Sequence, residues 1–186
     1  MRAFAALYAE LDASTATGDK LAALQRYLAD APAADAAWAV YFLAGGRPRQ
    51  VVPTALLRAT AQREAGLADW LFDECHHAVG DLAETISLVL PAPPARGADI
   101  GLAGWVEQRL LPLRGQPPAV QSAALAGWWR ELAPRERFVL GKLIAGAWRG
   151  GVSRQLVQRA LAAHAGVDAK RVAERMMGYT DSRAAP

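Results

Sequence analysis

Cysteine occurs once in the 186 residues, at Cys75, so no intrachain disulfide can form and the cytoplasm is the expected compartment. Lysine is almost as scarce. Lys20, Lys142 and Lys170 are the whole set, and arginine supplies the rest of the 21 basic side chains. No apolar run approaches the ~20 residues that cross a bilayer. The first residues, MRAFAALYAELD, carry acids and lack the basic start and cleavage site of a secretory signal. No membrane partner is expected. Asp73-Glu74-Cys75-His76-His77 is the one metal-like cluster, but adjacent histidines on a helix point about 100° apart and share a metal poorly, so no metal site is expected. His164 stands alone in an alanine-rich run. Strand patterning is rare.

Alanine dominates the hydrophobic content of 53%. It is the best helix former and adds little to a core, so the composition favours many packed helices. Phe4, Leu7, Tyr8 and Leu11 form one helical stripe. Thr17 or Gly18 opens a second helix, Pro32 suits the first turn of a third ended by Gly45-Gly46, and Pro53 starts a fourth closed near Gly66. Residues 68–79 form a fifth. Asp81 with Glu84 reads as a capping box for a sixth. The Pro-rich PAPPARGAD, 91–99, reads as a linker. Further helices are expected at about 100–113, 118–132, 134–148, 153–165 and 168–178. The fold class is therefore all-α, about ten to twelve helices in one compact domain over 1–180. Most of the six tryptophans, Trp128-Trp129 included, read as core at this spacing, and Trp148 beside Arg149 is the candidate for a base-stacking platform.

The halves, about 1–90 and 100–180, look related. Shifted by 100, residues 43–67 and 143–167 share Leu43/Leu143, Gly46/Gly146, Arg49/Arg149, Val52/Val152, Leu56/Leu156, Ala65/Ala165 and Gly66/Gly166. Each segment reads as helix, glycine-containing turn with an arginine, helix, which suggests a pseudo-twofold duplication. Charge is uneven. Residues 130–186 hold 11 Lys/Arg against 5 Asp/Glu, a balance of +6, whereas 1–129 hold 10 against 13. A basic third points to a polyanion. In WRGGVSRQL a helix start follows two glycines, with Arg149 and Arg154 on either side of Ser153. Helix N-termini bind phosphate through unpaired N–H groups, and glycine lets the backbone come close. An ordinary capped turn with solvated arginines would read the same way. Two related turns could meet the two strands of a duplex, holding backbone and not reading bases. A helical scaffold for proteins and a helix-rich DNA-repair enzyme are the alternative functions.

Several stretches resemble the N-terminal DNA-binding domain of ATP-dependent DNA ligases, of the bacterial type related to the archaeal and eukaryotic replicative enzymes. They are MRAFAALYAELDASTATGDKLAAL, WAVYFLAGG, VVPTALLRATA, AVGDLAETISLVLP and, most specifically, GKLIAGAWRGGVSRQLVQRALA. The resemblance implies an all-helical domain that grips nicked double-stranded DNA across the minor groove through phosphates. It places Gly146, Arg149, Gly151 and Ser153 on the phosphate-contacting turn, with Arg154 beside them. Arg47, Arg49 and Thr54 fall in the symmetric turn, and Thr15, Thr17 and Lys20 at a further strand contact. No catalytic residue is implied. None of the three lysines opens the K-x-D-G motif that takes AMP from ATP, so ATP and Mg²⁺ are expected only for a catalytic domain missing from this chain. Residues 181–186 resemble the start of a linker to that domain. A monomer bound to DNA in repair, replication or recombination is the expected state.

Overall fold

A computed structural model describes residues 1–46, 50–93, 97–146 and 151–177. Eleven helices and no strand occur among these residues: α1 (Arg2–Ala13), α2 (Thr17–Asp30), α3 (Ala33–Leu43), α4 (Thr54–Ala65), α5 (Asp69–Val79), α6 (Leu82–Val89), α7, α8 (Pro118–Glu131), α9 (Pro134–Ala145), α10 (Arg154–Ala165) and α11 (Ala169–Met177). Helix α7 runs as three consecutive segments, Gly101–Gly104, a π-helical Trp105–Leu110 and Leu111–Leu113. Pro112 has no N–H to offer the preceding turn and its ring crowds the carbonyl four residues back. The widened turn just before it accommodates both defects.

Local sequence explains most boundaries. Gly66 and Gly166 end α4 and α10 in the left-handed region, at φ 66° and 63°, where a Cβ would be strained. Asp81 caps α6, its Oδ1 accepting from Glu84 N–H at 3.0 Å, one arm of the expected capping box. Ser153 caps α10, its Oγ accepting from Leu156 N–H at 3.1 Å.

The helices group into two compact units, and neither is a sequence half. The first comprises residues 1–49, 100–107 and 148–186, the second 50–99 and 108–147. In the first, α2 packs on α1 and α10, α3 on the start of α7, and α10 on α11. Phe4, Leu11, Leu24, Phe42, Leu102, Trp105 and Val157 form its core. Asp35, buried beneath α7, accepts from the N–H groups of Leu102 and Ala103 at 2.9 and 2.8 Å. It thus caps a helix 67 residues away in sequence. In the second unit, α9 packs on α6, α8 on α4, and α5 and α4 on α6. Leu57, Phe72, Ile86, Leu125, Trp129 and Leu140 fill its core. Gly141 marks a close crossing there, since a Cβ would lie 2.7 Å from Ala83 Cβ.

The starts of α1 to α5 and of α7 to α11 differ by 99, 101, 101, 100 and 100 residues. The pairing of α2 with α10 in one unit is matched by α8 with α4 in the other.

Candidate nucleic-acid interface

The first unit brings together Thr15, Thr17, Lys20, Gly151, Ser153 and Arg154. Lys20, on the first turn of α2, donates from Nζ to the Gly151 carbonyl at 2.9 Å, just before α10. One lysine therefore bridges two helix N-termini. Both carry unfilled donors: no acceptor among the described residues takes the N–H of Thr17 or Gly18 on α2, or of Arg154 or Gln155 on α10. Two positive dipole ends and an ammonium share one exposed corner, an arrangement that favours an anion.

Gly151 adopts φ 59°, and a Cβ on it would lie 2.6 Å from Lys20 Nζ. The glycine is needed for backbone conformation and for the lysine's approach, not only to admit a ligand. Ser153 acts as the helix cap described above, which leaves its hydroxyl hydrogen to donate outward. Arg154 turns back toward α3, its Nε donating to the Ala44 carbonyl at 3.1 Å. That bond holds the guanidinium in place, and its two terminal nitrogens have no acceptor among the described residues. Thr15 and Thr17 are exposed beside the start of α2. That start is organised by a residue the sequence reading passed over: Ser14 Oγ accepts from Ala16 N–H at 3.1 Å and donates to Asp19 at 3.2 Å. The signal was present, because a serine two residues before a helix start readily forms such a turn.

The remaining candidates lie elsewhere. Gly146 and Thr54 belong to the second unit. Gly146 closes α9 at φ 67°, its N–H donating to Lys142 O at 2.9 Å. Thr54 opens α4 and its hydroxyl accepts from Gln50 at 3.4 Å. Arg47, Arg49 and Arg149, with Trp148, lie outside the described residues.

The second unit repeats the bridge with different chemistry. Gln121, the fourth residue of α8 as Lys20 is of α2, donates from Nε2 to the Val51 carbonyl at 3.1 Å. Val51 precedes α4 by the same three residues that separate Gly151 from α10. Here the turn is closed. Val51, Val52 and Gln121 are buried, and Gln121 also donates to Leu113 O at 3.1 Å. The Lys20 corner is open and charged; the Gln121 corner is neutral and sealed.

The Asp73–His77 segment holds no group of three or more metal-ligating side chains among the described residues. His76 Nδ1 lies 3.3 Å from Thr85 Oγ1 and Cys75 is half-buried. No helix of the described residues is long and apolar enough to cross a membrane. Trp38, Trp105 and Trp129 are core residues and Trp70 is exposed.

The family model for the DNA ligase N terminus matches residues 1–162. No curated protein sequence matches the chain. With most of its length covered by that model, the chain belongs to the DNA ligase N-terminal domain family.

Proposed function

We propose that this chain binds duplex DNA, nicked duplex included, by its backbone phosphates at the minor groove, and positions it for ATP-dependent ligation by a catalytic domain outside the chain. The observation that carries this reading is the Lys20 bridge, which joins two helix N-termini with unfilled N–H groups at one exposed corner. A phosphate there would receive Lys20, the Arg154 terminal nitrogens, the Ser153 and Thr17 hydroxyls and backbone donors. None of these groups discriminates one base from another. We also propose that the halves arose by duplication, which the paired helix bounds and the matched Lys20–Gly151 and Gln121–Val51 bonds support. Thr54 and Gly146, with Arg47, Arg49 and Arg149, are proposed as further strand contacts.

Lys20→Gln tests the reading with the residue type found at the matching position of the second unit. It retains a donor for the Gly151 carbonyl and removes the charge. Binding of a nicked duplex should fall steeply as salt rises and vary little with base sequence. Lys20→Gln should weaken binding, reduce the log–log salt slope by about one unit and leave the melting temperature unchanged. A flat salt dependence in the parent chain, or an unaltered slope in the variant, would remove phosphate binding at this corner.

A further inference from the structure

The second unit contains a cleft of about 270 Å³ with a buried guanidinium in its wall. Arg137 is 2% exposed. Its Nε donates to Trp129 O at 2.8 Å, and its Nη1 to Pro91 O at 2.8 Å and Leu90 O at 3.4 Å. Trp129 lies in the last turn of α8, and Leu90 and Pro91 directly follow the end of α6, so the guanidinium sits where two helices end, which a cation suits. The carbonyls occupy two of the three guanidinium nitrogens. Nη2 has no acceptor, and no carboxylate pairs with Arg137, among the described residues. Burial lowers the Arg137 pKa from its ordinary value, the mark of a charge held without a counter-ion. A second donor lies in the same wall. Trp129 is 3% exposed and its indole Nε1–H likewise has no acceptor among the described residues. Neither nitrogen is a sealed atom; both residues line the cleft.

We propose that this cleft binds a monocarboxylate carried on a short apolar body, its oxygens accepting from Arg137 Nη2 and Trp129 Nε1. The charge lining the cleft sets the valence. Arg137 and Arg130 contribute two positive charges and Glu64, which accepts from Arg130 at 2.9 Å, one negative charge. The net single positive charge matches a monoanion, and Glu64 disfavours a phosphate dianion. The apolar part of the lining, Leu90, Ala126 and the Trp129 ring, fits a hydrocarbon or phenyl group. The volume suits a small acid and is too small for a nucleotide. The proposal does not depend on the DNA-binding reading.

A small acid and the C-terminal carboxylate of a polypeptide share this chemistry, so both are tried. The readout is the Trp129 indole N–H resonance, assigned by its loss in Trp129→Phe. Phenylacetate, or N-acetyl-Gly-Phe with a free C-terminus, should shift that resonance with a Kd in the millimolar range or below. Phenylacetamide, the neutral isostere, should bind about tenfold more weakly or not at all. Response to phenylacetate alone identifies a small acid, and response to the dipeptide alone a polypeptide end. Arg137→Met is expected to abolish binding but removes three carbonyl caps and threatens folding. Ala92→Phe, a change at an exposed rim position, blocks the cleft with Arg137 in place and should abolish the shift at an unchanged melting temperature. No shift with either acid, an equal shift with phenylacetamide, or a shift that survives Ala92→Phe overturns the proposal.

Discussion

Lys20 and Gln121 make the same hydrogen bond from matching helix positions, yet burial gives them different work. Lys20 is half-exposed and tethers a turn that water already solvates. Gln121 is 4% exposed and satisfies two carbonyls, Val51 and Leu113, that water does not reach. An unsatisfied buried acceptor costs far more than a hydrogen bond lost to solvent. Gln121→Ala should therefore lower stability by about 1–3 kcal/mol, and Lys20→Ala by under about 0.5 kcal/mol, as read by thermal melting. Equal losses would mean that the two corners are not chemically distinct. Lys20 was a candidate only through the family resemblance, since Thr-Gly-Asp-Lys by itself reads equally as an ordinary helix start. The Gln121 partnership was hidden, because the 101-residue offset over α2 lies outside the ungapped 43–67 comparison.

Between elements, the crossing of α6 and α9 shows what a helix pattern reveals and what it leaves out. The cap at Asp81 is local, three residues from its partner, and legible as such. The ion pair that Asp81 Oδ2 makes with Lys142 spans 61 residues and is not. Gly141, which admits Ala83 at the crossing, falls inside the helix expected at about 134–148, where nothing local marks that contact. Burial raises the Asp81 carboxyl, but the Lys142 hydrogen bond, the Glu84 N–H, the Lys142 charge and the Ala83 N–H outweigh it and hold it below 3.8. A depressed carboxylate stabilises the fold above its unfolded-state pKa and loses that contribution as pH falls through the folded-state value. The melting-temperature gap between the parent and Asp81→Asn should thus be full at neutral pH and close as pH falls below the ordinary carboxyl value of 3.8. A gap that stays constant across that range would assign the loss to packing and not to the ionised pair.

For the whole molecule, the matched domain is the N-terminal part of a ligase, and none of the three lysines opens K-x-D-G. Incubation with labelled ATP and Mg²⁺ should leave no AMP on the chain; a stable AMP–lysine adduct would require a catalytic lysine the motif does not reveal. The all-helical class and most element boundaries were legible in the sequence. Helix propensity, capping residues and left-handed glycines act within a few residues of where they stand. Tertiary structure alone decided the partners. It built each unit from both halves, α2 with α10 and α8 with α4. It turned Arg154 onto Ala44, joined two helix starts through Lys20, and buried Arg137 beside Trp129 with no counter-ion among the described residues. These bonds link residues as much as 131 positions apart. Periodicity reports which face of a helix is buried; what lies against that face is settled only when the chain packs.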